Sequence, residues 1–203
     1  MAKDFNRIQP AEYLRRYVSQ GVRPDGRRLM ETRSVSVNVG SVTTADGSAL
    51  VKIGNTTVLC GIKAEFTLPG GENNDEGYVI PNFELSSVAS PQSRSGPPSE
   101  EAQVISKFLS DLITRSSILN LHDLCIEVGK LAWVLYCDFA CLDQDGSLTD
   151  ASVVALVASI ANLRLPHAIV NEYTGLGEVT GNKDVQLQLN SFPVTTTFGL
   201  FEG

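Results

Sequence analysis

Three groups of residues in this chain are of kinds that do chemistry. The first is acidic: CLDQDGSLTD (residues 141–150) sets Asp143, Asp145 and Asp150 within eight positions. Carboxylates so spaced invite a calcium loop. However, a DxDxDG alignment puts Cys141 at the first ligand position, and an EF-hand register puts Ser152 where a bidentate Glu is needed. A turn at Asp145-Gly146, followed by Asp150 as a helix N-cap, accounts for the same residues, so no metal is expected. The second group is Cys137 and Cys141, which share one face of a strand by parity. No second pair has zinc spacing and neither His122 nor His167 is near them in sequence, so buried, reduced thiols are expected. The two histidines fall at element boundaries with no nucleophile motif to serve, which leaves them surface or capping roles. GLGEVTG (residues 175–181) misses dinucleotide spacing and implies no cofactor. The third group is basic: Arg15, Arg16, Arg23, Arg27, Arg28 and Arg33, with Arg94 alone among small residues further on. Guanidinium groups suit bidentate phosphate contact, and they equally suit salt bridges across an acidic molecule.

The elements that must position these residues follow from periodicity. Residues 130–142 (KLAWVLYCDFACL) form a continuous apolar run, predicting a strand buried on both faces. After the DQDGS turn, residues 151–163 are small and apolar nearly all round, predicting a helix inside the fold. Upstream, residues 10–20 predict a short helix with Pro10 at its entry and Gly21 as its stop. SVSVNVG, SALVKIG and TTVLCGIKAEF, broken at DGS and GN, predict an antiparallel meander. YVIPNFELSSV (residues 78–88) predicts a strand that Pro81 confines to an edge. Ser99 is expected to cap a long helix carrying Glu100 and Glu101 first and Arg115 last, with Ile105, Phe108, Leu109, Leu112 and Ile113 on one face. HAIVNEYTG, DVQLQLNS and PVTTTFGLFEG predict three closing strands. The sum is α+β, expected as a single domain over residues 1–203.

With 203 residues and 42% hydrophobic content the chain can bury a sizeable core. Its net charge of −7 argues against a free-standing nucleic-acid binder. The charge is uneven: residues 1–33 hold eight Lys/Arg against four Asp/Glu, and the remainder eight against nineteen. No apolar leader opens the sequence and no apolar run reaches membrane length, so an intracellular protein with no membrane contact is expected.

RPDGR, TADGSALVKIGNTTVLCGIKAEF, RSGPPSEEAQV, LCIEVGKLAWVLYCDFACLDQDGSLTDAS and FPVTTTFGLFE, in this order, resemble the RNase PH family over essentially the whole chain. The long middle motif and GPPSEEAQV are specific, whereas RPDGR alone is weak. The resemblance is to the members that build the eukaryotic exosome ring. It implies a two-layer domain of βαβ units (ribosomal protein S5 domain 2-like). It implies as partners the other RNase PH-like ring subunits, the RNA-binding cap subunits, and single-stranded RNA threading the assembled channel. It implies rRNA maturation and mRNA turnover in nucleus, nucleolus and cytoplasm, with Arg94, Arg23 and Arg27 as candidate RNA contacts.

Active members of the family hold phosphate with a Gly-Thr-Arg segment after the Asp-Gly turn, which is chemistry for backbone N–H groups and a guanidinium. Here the corresponding residues are Gly146, Ser147, Leu148 and Thr149. Thr149 replaces the arginine and Asp150 adds a charge of the wrong sign. The expected role is therefore structural, a ring subunit without chemistry. An active phosphorolytic 3′-to-5′ exoribonuclease and a short form that does not assemble are the alternatives. The family also continues past residue 203 with a hairpin, a C-terminal helix and the acidic residues of catalysis, so this chain is expected to be C-terminally truncated.

Overall fold

The structure is a computed structural model and describes residues 7–70, 74–86, 89, 98–171, 173 and 175–201. It divides into two units, Met1–Ser34 and Val35–Gly203.

In the first unit, helix α1 (Pro10–Val18) has Pro10 in its first turn, where a missing N–H costs nothing. Glu12 pairs with Arg15 at 3.1 Å and Arg16 at 3.3 Å on its exposed face. The RPDGR turn then closes on itself. Arg23 N–H donates to the Arg27 carbonyl (2.7 Å) and Gly26 N–H to that of Arg23 (2.9 Å). Gly26 has φ of 88°, a conformation open to glycine without strain.

The second unit is a mixed sheet with helices on one face. Strands β1 (Val35–Val39), β2 (Gly47–Ile53) and β3 (Thr56–Thr67) are the expected antiparallel meander. Strand β6 (Leu131–Asp143) pairs antiparallel with β3, and β4 (Tyr78–Leu85) pairs parallel with β6, giving the order β1-β2-β3-β6-β4. Short strand β5 (Cys125–Glu127) folds back on the start of β6. Pro81 lies in β4 at the sheet edge, where its missing donor breaks no ladder.

Helix α2 (Glu100–Ser116) connects β4 to its parallel neighbour β6, forming a βαβ unit, and packs on β4. It starts where Ser99 accepts from Ala102 N–H at 3.2 Å. Ala102, Ile105, Leu109 and Ile113 are buried, Leu112 is half-buried, and Phe108 stands at the rim. Helix α3 (Leu148–Asn162) covers β2 and β3. Between the layers lie Val51, Val58, Cys60, Ile62, Phe83, Leu109, Phe139, Leu156 and Ile160, all essentially solvent-free. α3 approaches β2 so closely that a Cβ on Gly47 would sit 2.7 Å from the Ser159 carbonyl oxygen, which explains a glycine at the strand's first position. A separate hairpin, β7 (Leu165–Val170) with β8 (Gly177–Val185), completes the regular elements, and Lys183 pairs with the buried Asp46. Burial would raise the Asp46 pKa, but the Ala64 N–H and the Lys183 ammonium outweigh it and hold the carboxyl below its ordinary value.

Three expectations are corrected. β6 is enclosed on both faces only over its first five residues and alternates from Tyr136 onward, because no layer covers that part of its outer face. Asp150 is not the N-cap. The helix begins at Leu148 behind Ser147, which sits at φ 54° and makes no side-chain capping bond. The strands expected over DVQLQLNS and PVTTTFGLFEG are absent across residues 186–201, where the chain has no regular structure beyond one isolated bridge, Leu119 to Leu189. GLGEVTG becomes the return strand of the β7–β8 hairpin.

Candidate functional site

The place to test is the head of α3, where the resemblance puts a phosphate site. β6 delivers Asp143 to the turn, and Thr56, fully buried at the start of β3, holds that turn from below. Its hydroxyl accepts from Asp145 N–H at 2.9 Å and donates to the Gly146 carbonyl at 2.6 Å. One buried side chain thus bonds two backbone groups of the turn. Asn55 donates to the Asp145 carboxylate at 3.1 Å, and Gln144 donates to both oxygens of Glu101, at 3.1 and 3.2 Å. Gly146 (φ 75°) and Ser147 (φ 54°) both take left-handed backbone to turn the chain into the helix.

The free N–H groups and dipole of a helix start attract an anion. Asp150 lies in the first turn of α3, and its carboxylate accepts from Thr197 N–H at 3.2 Å. Thr149, where the resemblance expects an arginine, brings a hydroxyl and no positive charge. A second anion about 5 Å from Asp150 would be repelled by roughly 3 kcal/mol at an effective dielectric of about 20. Of the candidate residues, Gly146, Ser147, Thr149 and Asp150 lie together at the head of α3, where Gly146 and Ser147 turn the chain and Thr149 and Asp150 enter the helix.

The candidate arginines are placed differently. Within the first unit, the Arg23 guanidinium donates to the Leu29 carbonyl. Arg27 donates to Asp25 from its backbone and from its guanidinium at 2.6 and 2.8 Å. Both therefore staple their own turn. Arg94 lies outside the described residues.

The remaining candidates show no reactive geometry. Cys60, Cys137 and Cys141 are buried and all four cysteines are free. Burial pushes the Cys60 thiol up to about 12, that of Cys141 to about 11, and that of Cys137 well above its ordinary value, so these thiols stay protonated. His122 sits against Asp75 (3.2 Å) and Glu76 (3.7 Å), and His167 against Asp184 (3.5 Å). Among the described residues, no three of His, Cys, Asp and Glu converge as metal ligands. Also among the described residues, no helix is long and apolar enough to cross a membrane. A cleft of about 300 Å³ opens beside β3 and the β7–β8 hairpin, lined by Asp46, Lys63, Phe66, Trp133, Val179 and Lys183.

Sequence reasoning missed Thr56, Glu101 and Thr197 as partners of the turn. Thr56 had a signal: in the period-2 pattern of β3 it shares the inward face with Val58, Cys60 and Ile62. Thr197 had none, because its role depends on where residues 186–201 run.

Comparison with known proteins bears on the family and the fold. Residues 31–166 match the family described as RNase PH, 3′ exoribonuclease family, domain 1. The chain is 42% identical over 168 residues to the exosome complex component rrp43 of Schizosaccharomyces pombe, covering 83% of this chain and 62% of that protein. It is 37% identical over 197 residues to the exosome complex component Rrp42 of Methanocella arvoryzae, covering 97% and 72%. Among solved structures, the Archaeoglobus fulgidus exosome with RNA bound to the active site superposes with a TM-score of 0.77 at 34% identity. That superposition covers 91% of this chain and 69% of the solved one.

Proposed function

The chain belongs to the 3′ exoribonuclease (RNase PH) family, and from that premise we propose that it is a non-catalytic structural subunit of an exosome ring. Within the family the sequence resembles the ring subunit of the ribosomal-RNA-processing protein 43 type (exosome component 8), and the Schizosaccharomyces pombe relative carries that name. The observation that carries the non-catalytic part is the head of α3. Thr149 brings no guanidinium, and Asp150 adds a carboxylate to the first turn, bonded to Thr197 N–H at 3.2 Å. Removing one charge clamp from such a site already costs roughly a hundred- to a thousandfold in rate. Repulsion from Asp150 adds to that loss.

In this role the subunit works by presenting surfaces. The other RNase PH-like ring members and the RNA-binding cap subunits are its proposed partners, and single-stranded RNA passes through the assembly during rRNA maturation and mRNA turnover. Arg94 is the proposed backbone contact, with Arg23 and Arg27 as further candidates whose guanidinium groups are already engaged in the RPDGR turn. Nucleus, nucleolus and cytoplasm are the proposed locations, checked by a fluorescent fusion. Since the chain spans 62% of the Schizosaccharomyces pombe relative, the test uses both the 203-residue chain and its assemblies.

Two measurements decide. A tagged pull-down should recover ring subunits in equal amounts; recovery of the chain alone, or with chaperones, would sink the ring reading. Incubation of the purified chain with single-stranded RNA and inorganic phosphate should release no nucleoside diphosphate. Phosphate-dependent release that survives Thr149→Ala would establish instead an active exoribonuclease using a different site.

A further inference from the structure

The β7–β8 hairpin stands apart from the main sheet as a two-stranded sheet of its own, and residues 178–184 of β8 are all exposed. Its pairing breaks twice at the base, between Leu165 and Pro166 and between Pro166 and His167, where proline removes a ladder donor. A two-stranded hairpin is marginal in water and depends on what it packs against. β8 meets the body through Gly177 and Lys183. A Cβ on Gly177 would fall 2.8 Å from the Leu131 side chain and 3.1 Å from the Phe66 ring, so the strand lies directly on both. Lys183 pairs with Asp46, whose almost fully buried carboxylate also accepts from Ala64 N–H at 2.9 Å. The cleft of about 300 Å³ runs between these walls, with Lys63, Phe66 and Trp133 on the sheet side and Pro166, Val179 and Lys183 on the hairpin side. Phe66 and Trp133 stack there at 4.4 Å between ring centroids, and Trp133, 7% exposed, is the one tryptophan of the chain.

We propose that the hairpin is a flap, hinged at Pro166 and latched by the Asp46–Lys183 pair, whose opening uncovers Phe66 and Trp133 as an apolar surface. The latch spans the cleft, with one charge on each wall, so it holds only while the walls are together. Parting them leaves the Asp46 carboxylate without its ion-pair partner in a mostly buried place, and that cost keeps the flap shut. Little else opposes opening. Few buried apolar side chains and an exposed backbone are the marks of a segment that opens below the free energy of global unfolding. The ladder of the main sheet does not include the hairpin, so β2, β3 and β6 stay paired when it lifts. The inference does not rest on the ring reading and would stand if that reading failed.

Hydrogen exchange of the β8 amides and acrylamide quenching of Trp133 fluorescence, both on the full 203-residue chain, test it. Lys183→Met removes the cation of the latch from a half-exposed side chain, and Gly177→Ala wedges the same strand by steric means alone. Each should speed exchange across residues 178–184 by about tenfold and raise the quenching of Trp133, while the amides of β2 and β3 stay as slow as before. Lys107→Met, which removes the cation of the exposed Lys107–Asp111 pair on α2 (2.8 Å), should change neither readout. Exchange and quenching unchanged by both Lys183→Met and Gly177→Ala would overturn the proposal. Exchange that rises equally in β2 and β3 would also overturn it, because the hairpin would then open only with the whole unit. Faster β8 exchange with Trp133 still shielded would refute the uncovering of the aromatic pair.

Discussion

The chain contains two Asp-Gly turns that look alike in sequence, RPDGR at residues 23–27 and DQDGS at residues 143–147, and the structure uses them in opposite ways. The first closes on itself: Arg27 donates to Asp25, Gly26 N–H donates to the Arg23 carbonyl, and the turn stays at the surface. The second is gripped by the buried Thr56 hydroxyl and aims a helix start that carries Asp150 in its first turn. Arginines beside an acidic turn are thus consumed by the turn in one case. In the other, the carboxylate of Asp150 is engaged by the Thr197 N–H. Charge near a loop becomes a binding site only when its partners inside the chain leave it unspent.

Breaking the grip should separate the turns most clearly. Thr56→Val preserves shape but removes the hydroxyl that bonds the Asp145 N–H and the Gly146 carbonyl, at about 0.5–1.5 kcal/mol for each bond. Chemical denaturation should show a loss of roughly 1–3 kcal/mol, beyond that of any single side chain in the RPDGR turn. A loss under 0.5 kcal/mol would mean that water replaces the hydroxyl and that the turn is not anchored as described. Next in size is backbone strain. Gly146→Ala and Gly26→Ala each force an L-residue into left-handed backbone, at about 1–2 kcal/mol. Equal costs are expected, because this strain is local and indifferent to burial. Conversely, Ser147→Gly should relieve strain at φ 54° and stabilise by up to about 1 kcal/mol. Thr149→Arg supplies the missing guanidinium while Asp150 stays. It should not restore phosphate-dependent activity to the isolated chain, and restored activity would show that one residue alone separates this site from a working one.

The parts of the fold legible in sequence are those fixed by local patterning. The meander, the Ser99 cap, the edge position of Pro81 and the small-residue helix α3 all follow from period and punctuation. The inward parity of Cys137 and Cys141 follows from the same rules. That residues 146, 147, 149 and 150 fall together at the head of α3 follows from their nearness in sequence. What failed depended on residues distant in sequence. Asp150 reads as an N-cap by type, yet the left-handed pair Gly146-Ser147 starts the helix three residues earlier than Asp150 would allow. Residues 186–201 alternate like strands, but alternation states only that a segment suits a sheet. It does not supply the neighbouring strand that would make one.

The smallest effect sharpens the comparison from the surface turn. Hydrogen bonding from Arg27 is the main cause holding the Asp25 carboxyl below its ordinary value of 3.8, with its charge and that of Arg23 adding to it. A carboxyl with a lowered pKa in the folded chain contributes order above its unfolded pKa and loses it as pH falls through the folded value. The turn should therefore be unchanged from pH 7 down to about 5 and should loosen only below the ordinary aspartate range. Because Asp25 is largely exposed, solvent screening limits the effect on global stability to about 0.5 kcal/mol or less. The readout is accordingly local: the Arg27 amide resonance, followed by NMR against pH, should move with a midpoint below 3.8 and stop moving in Asp25→Asn. The amide of Asp145, held by the uncharged Thr56 hydroxyl at 2.9 Å, should not share that midpoint. A common midpoint for the two amides would mean that they report one global acid transition, and the distinction between a self-closed turn and a core-anchored one would fall.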